Sequence, residues 1–156
     1  KGPTALVLTR QNLPQYENSG INALKGGYII EDSQKQTPDI ILMASGSEVE
    51  VILKAKQMLK EQGIDARAVS MPCMELFDAQ PQAYKEKVLP SGVRARLAVE
   101  AGTAYSWYKY IGLDGDTVTI DRFGASAPAG ELFKLFGFTP ENVTEKAINV
   151  YKKNKK

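Results

Sequence analysis

Residues 39–71, DIILMASGSEVEVILKAKQMLKEQGIDARAVSM, carry the reading that decides the fold. The run DIILMA (39–44) is almost continuously apolar, as expected of a strand covered on both faces. SGSE follows at once. Ser45-Gly-Ser-Glu48 has the spacing of a capping box, and Ser47-Glu-Val-Glu50 repeats it, so a helix is predicted to begin here with these serines as its caps. On a helical wheel Val51, Ile52, Ala55, Met58 and Leu59 share an arc of about 120°, with Glu50, Lys54, Gln57, Lys60 and Glu61 opposite. Glu50 and Lys54 form an i,i+4 pair of the favourable orientation. Gly63 is a natural stop, and IDARAVSM (64–71) reads as the next strand. A strand–helix–strand unit of this length implies a parallel pair with a right-handed crossover.

The alternation continues on both sides. YIIED (28–32), ARLAVEA (95–101) and TVTID (117–121) read as strands, and GTAYSWYKYIG as a short helix dense in aromatics. Between them, residues 71–90 are broken by Pro72, Pro81 and Pro90. FGASAPAGELFKLFG turns into a helix with Pro128 near its first turn and Gly137 at its end. A last helix starts at Thr139-Pro140-Glu141 and keeps Val143, Ala147 and Val150 on one face. The predicted fold class is α/β: a three-layer α/β/α sandwich with a mostly parallel, mixed central sheet. ALVLT (5–9) reads as a buried strand, and RQNLPQYENSGINALKGG as a connection. The expected organisation is therefore 1–10 as the tail of a preceding domain, 11–27 as a linker and 28–156 as the α/β domain.

Composition narrows the chemistry. The 156 residues suit one domain, and 20 Lys plus Arg against 18 Asp plus Glu leave +2, no footprint for nucleic acid or a membrane surface. No apolar run approaches the roughly 20 residues a membrane span needs. There is no histidine, which removes Ser-His-Asp and Cys-His nucleophiles, histidine bases and histidine metal ligands. The single cysteine, Cys73, excludes an intrachain disulfide and a Cys-x-x-Cys site. It reads as a small buried hydrophobe in a reducing compartment, the cytoplasm.

Several residues stand as site candidates. Ser45, Gly46 and Ser47 lie at a strand's carboxyl end and a helix N-terminus, where free N–H groups favour an anion. Neither nucleotide-binding glycine fingerprint is met, and capping alone explains both serines more simply. Glu75, Asp78, Glu100, Asp121 and Glu131 offer carboxyls that no spacing pairs; Glu100 is singled out because it ends an apolar strand. Tyr105, Trp107, Tyr108 and Tyr110 read as packing against a core or partner, as do Phe123, Phe133, Phe136 and Phe138, so apolar surface at 104–111 and 123–138 is expected to be partly exposed. Arg10, directly after an apolar strand, suits bidentate capture of a phosphate or carboxylate, although a surface ion pair is the commoner role.

LTRQNLPQYENS, IILMASGSEVEVILKAKQMLKEQGIDARAVSMPCMELFDAQ, LAVEAGTAYSWYKYIG and DRFGASAPAGELFKLFGFTPENV together closely resemble the C-terminal part of the transketolases, in the family's order and over nearly the whole chain. The resemblance implies homodimers that move a two-carbon ketol unit between sugar phosphates with thiamine diphosphate and Mg2+ or Ca2+. Residues 1–10 then become the tail of a pyrimidine-binding domain. Arg10, within LTRQNLP, stands where the family binds the substrate phosphate. The family's catalytic histidines, activating glutamate and metal ligands belong to its other domains, so no catalytic, cofactor or metal residue is assigned here, and this piece alone is expected to be inactive. Two alternatives stay open: a regulatory module binding an anion or nucleotide at 45–48, and the equivalent domain of another thiamine enzyme.

Overall fold

A computed structural model describes residues 2–155. Five strands form one sheet: β1 (Tyr28–Glu31), β2 (Ile40–Ala44), β3 (Ala66–Ser70), β4 (Arg96–Val99) and β5 (Asp116–Val118). Their order is β1-β3-β2-β4-β5, with β1 antiparallel to β3 and the other pairs parallel. The helices are α1 (Glu48–Glu61), α2 (Met74–Asp78), α3 (Gln82–Val88), α4 (Tyr108–Ile111), α5 (Ala129–Phe136) and α6 (Pro140–Asn154), with 3-10 turns at Gly20–Lys25 and Tyr105–Trp107. The fold is the expected mixed α/β sheet with helices on both faces. No helix among the described residues is long and apolar enough to cross a membrane.

The unbroken apolar run of β2 follows from its central place. Ile40, Leu42 and Ala44 pack toward α1 and α6 with Ile52, Leu59, Val143 and Ala147. Ile41 and Met43 point the other way, into a second core with Phe77, Val88, Trp107 and Tyr110 from the α2–α4 layer. Successive side chains of a strand alternate between faces, so β2, covered on both faces, is apolar at every position.

Helix ends are set by local chemistry. Gly63, at φ +75°, closes α1: Ile64 N–H donates to the Leu59 carbonyl and Gly63 N–H to that of Lys60, both at 3.0 Å. α6 starts at Thr139, whose hydroxyl accepts from Asn142 N–H at 3.2 Å, with Pro140 in the first turn. Thr139→Ala is expected to cost about 1 kcal/mol, read from urea unfolding midpoints.

Two arginines in strands have structural roles that their sequence context hides. Arg96 donates to the carbonyls of Val93, Tyr110, Leu89 and Pro90, closing the carbonyl-rich ends of α3 and α4. Arg67, buried in β3, joins the Asp32 carboxylate at 2.6 Å to the Lys87 and Val88 carbonyls.

Three expectations need correction. Residues 5–9 form no strand, and Leu6, Val7 and Leu8 are exposed. A strand needs neighbours for its N–H and C=O groups, and no strand among the described residues pairs with this segment. TVTID contributes a shorter strand, ending at Val118. The serine caps are also absent. Ser47 precedes α1 with helical dihedrals (φ −67°, ψ −26°) and makes no side-chain cap bond, because a cap needs extended backbone there.

Candidate functional site

Strand order reverses between β2 and β4. From β2 the chain crosses by α1 to β3 on one side; from β3 it crosses by α2 and α3 to β4 on the other. In such sheets the crevice beyond the carboxyl ends of the two diverging strands is where functional groups collect. Here it brings together Ser45 at the end of β2 and Glu100 at the end of β4, 55 residues apart in sequence: the Ser45 hydroxyl donates to Glu100 Oε2 at 2.8 Å. Beside them Ser47 Oγ donates to Glu48 Oε1 at 3.1 Å.

Glu48 is 4% exposed, an unusual place for a carboxyl. Burial pushes it above the ordinary glutamate range and the Glu100 charge adds to this, against the favourable Ser47 hydroxyl and the N–H groups of Glu48 and Ala101. Burial also raises Glu100, against its bond from Ser45. The Trp107 indole is close enough to favour the charged form of Glu100, yet it lies outside hydrogen-bonding geometry: Trp107 Nε1 is buried without a partner.

These shifts have a pH signature. A raised carboxyl contributes stability that is complete below the unfolded value, about pH 4.3, and is lost as pH rises through the folded value. As pH rises above the unfolded value, Glu48→Gln should therefore gain on the wild type, read from urea unfolding midpoints along the pH series. An identical change in both proteins would remove Glu48 as a source.

The Gly46–Ser47 turn also borders a cavity of about 180 Å³ between α1 and the preceding segment, lined by Leu13, Pro14, Tyr16, Tyr28 and Ser70 among others. Arg10 is exposed and outside that lining. The other singled-out carboxyls lie apart. Asp78 takes Lys109 Nζ at 2.8 Å and the Tyr110 hydroxyl at 3.1 Å. Asp121 accepts from the Thr103 and Thr119 hydroxyls and from Ala104 N–H, holding the turn before Tyr105; Glu75 and Glu131 are exposed. The aromatic group divides: Trp107 and Tyr110 are buried, Tyr105 and Tyr108 exposed. Phe123 and Leu135 are exposed too, so both stretches expected to carry open apolar surface do so. Glu48 as a buried group was missed; its only sequence signal is its place directly after the candidate loop.

Comparison with known proteins now decides the family. The family described as "Transketolase-like TK C-terminal domain" matches residues 26–139. The chain belongs to the transketolase C-terminal domain family. This transketolase domain is 49% identical over 152 residues to Transketolase 1 of Pasteurella multocida and 51% identical over 152 residues to Transketolase 2 of Escherichia coli, covering 94% and 96% of the chain. It spans 23% of the length of either relative. Among solved structures, a transketolase complex with sedoheptulose-7-phosphate from Pichia stipitis is 46% identical with a TM-score of 0.83, and the transketolase of Leishmania mexicana is 40% identical with the same score. Each match covers 92% of this chain and 20% of the other. Among the described residues no three Asp, Glu or Cys side chains converge as a metal ion would require.

Proposed function

We propose that this chain serves as the C-terminal domain of a transketolase, an enzyme that passes a two-carbon ketol unit between sugar phosphates, and that it supports the catalytic domains and dimer assembly. The observation that carries this reading is the near-complete match of the chain to curated transketolases, at about half identity, over less than a quarter of their length. In this reading thiamine diphosphate and Mg2+ or Ca2+ are held elsewhere in the enzyme, residues 1–10 belong to the pyrimidine-binding domain, residues 11–27 link it to the α/β domain at 28–156, and the enzyme works in the cytoplasm as a homodimer. The exposed Tyr105, Tyr108, Phe123 and Leu135 supply apolar surface of the kind such assembly covers.

Arg10 is the residue proposed to reach the substrate. Its guanidinium is always charged and offers a planar fork that matches two phosphate oxygens. It is exposed on a segment whose apolar residues Leu6, Val7 and Leu8 lie open, as a strand awaiting a neighbouring sheet would be. In a transketolase carrying this sequence, Arg10→Ala should raise KM for phosphorylated sugars about 10- to 100-fold, the worth of a charge-assisted hydrogen-bond pair, while kcat changes far less. Steady-state kinetics on a phosphorylated and an unphosphorylated ketose decide it. Equal losses on both donors would remove Arg10 from phosphate recognition.

The reading of Ser45, Gly46 and Ser47 as an anion or nucleotide site receives less support from their surroundings. Glu48 and Glu100 place negative charge beside the N–H groups that would have to hold the anion.

A further inference from the structure

The cavity of about 180 Å³ between α1 and the segment before the sheet gathers polar groups that have no partner in the protein. Tyr28 and Ser70, paired across β1 and β3, line one side, and the Gly46–Ser47 turn lines another. Leu13, Pro14 and Tyr16 close it from the preceding segment, which Asn18 Nδ2 ties to the Ile30 carbonyl at 3.1 Å. Ser70 shares the α1-facing side of β3 with Ala66 and Ala68, since side chains alternate along a strand. The residue is 6% exposed, and among the described residues its hydroxyl makes no hydrogen bond. Among those residues the only polar side-chain atom sealed from solvent without a partner is Trp107 Nε1, so the Ser70 hydroxyl is open to the cavity it lines. The Gly46 and Ser47 N–H groups, at the N-terminus of the 14-residue α1, likewise donate to no protein acceptor among the described residues. Ser47 Oγ donates to Glu48 and keeps lone pairs free to accept.

The lining narrows what can occupy this space. Among the described residues no Lys or Arg lines the cavity, and its one charged group, Glu50, is already paired with Lys54 at 2.5 Å. An anion would meet a carboxylate and no cation, and a cation would have to displace Lys54. A hydroxyl, by contrast, both donates and accepts, which suits a set of two N–H groups and two serine hydroxyls. Tyr16 and Tyr28 add apolar ring faces against which C–H groups can lie. At roughly 30 Å³ per water molecule the volume equals about six waters, the room of a short polyol. We propose that the cavity is a binding site for a small neutral polyol of three or four carbons, whose hydroxyls take the Gly46 and Ser47 N–H groups and the Ser70 hydroxyl while its carbons lie against the two tyrosine rings. Such an occupant joins the segment at 13–16 to the sheet and to the first turn of α1, and satisfies donors that are costly to leave buried and unpaired.

Titrating erythritol into the 15N-labelled 156-residue chain tests this through the amide resonances. The Gly46, Ser47 and Ser70 amides should shift along a saturating curve, with a dissociation constant on the order of 1–10 mM, as suits so small a ligand. Inorganic phosphate at the same concentrations should leave them unmoved. Ser70→Ala removes a hydroxyl that no protein group uses, so the fold is retained, and it should weaken erythritol about 5- to 10-fold, the worth of one hydrogen bond. Tyr16→Ala alters the cavity from outside the sheet and should also weaken binding, which guards against an effect of Ser70→Ala on the strand itself. Shifts that grow linearly with erythritol across the whole chain would mean that water alone fills the cavity. That result, saturable shifts with phosphate, or an unchanged affinity in either variant would each overturn the polyol site.

Discussion

Trp107→Ala is expected to lower the stability of the chain by about 3–5 kcal/mol, a large share of the roughly 5–15 kcal/mol that holds a domain folded. The ring has no exposed surface and stands between the sheet and the α2–α4 layer, edge-on to Tyr110 at 6.5 Å between centroids. Its neighbours in that core include Ile41, Met43 and Phe77, whose positions are fixed by β2 and α2, so the space left by the indole cannot collapse freely. Trp107→Phe separates packing from polarity. It keeps most of the apolar volume and removes an N–H that already lacks a partner, so it should cost far less than the alanine, about 1–2 kcal/mol. Urea unfolding of the three proteins tests this; equal losses for alanine and phenylalanine would mean that the ring's volume is not what matters.

Gly26→Ala carries the second large effect, about 4 kcal/mol. Gly26 ends the 3-10 turn at φ +80°, a conformation that strains any residue with a Cβ, by roughly 1–3 kcal/mol. An added Cβ would also fall 2.3 Å from the Cys73 carbonyl oxygen and the Phe77 nitrogen and 2.6 Å from Leu76 Cβ. These are mostly backbone atoms at the start of α2, so relief requires moving that helix off the 3-10 turn, at a further cost of roughly 1–3 kcal/mol. The Gly26 carbonyl accepts from Cys73 N–H at 3.0 Å, and the same movement would break that bond. Gly63→Ala is the internal control. Its φ of +75° is similar, yet nothing lies within 4 Å of the added Cβ, so only the backbone strain applies. Thermal unfolding should place Gly26→Ala well below Gly63→Ala, and comparable melting temperatures would contradict the clash.

The contrast between these residues shows what a sequence can disclose. The β2–α1–β3 unit was legible because its signals are local: an apolar run, a 3.6-residue periodicity and a glycine at the helix end. The Glu50–Lys54 pair, read from spacing alone, is present at 2.5 Å. Ser45 and Ser47 were misread as caps because a hydroxyl's choice of partner depends on groups distant in sequence. Ser45 turns to Glu100, and Ser47 has the wrong dihedrals for its hydroxyl to reach the N–H groups of the helix's first turn. Glu100 was visible only as a carboxyl closing a strand. Its association with Glu48 depends on strand order, which no spacing expresses. The same holds for Arg67 and Arg96, whose partners are carbonyls on separate helices and loops and, for Arg67, the Asp32 carboxylate. ALVLT at 5–9 has the composition of a strand, but composition cannot provide the neighbouring strand that makes it one. The role given to Arg10 rests on family resemblance, with charge and exposure consistent with it.

The central claim is that this domain supports a transketolase whose chemistry lies in other domains. The reading starts from the lack of histidine in the sequence. The direct measurement is a ketol-transfer assay of the 156-residue chain with thiamine diphosphate, Mg2+ and a ketose–aldose phosphate pair, run beside an intact transketolase. The account predicts turnover from the intact enzyme and none above blank from this chain; ketol transfer by the chain alone would contradict it.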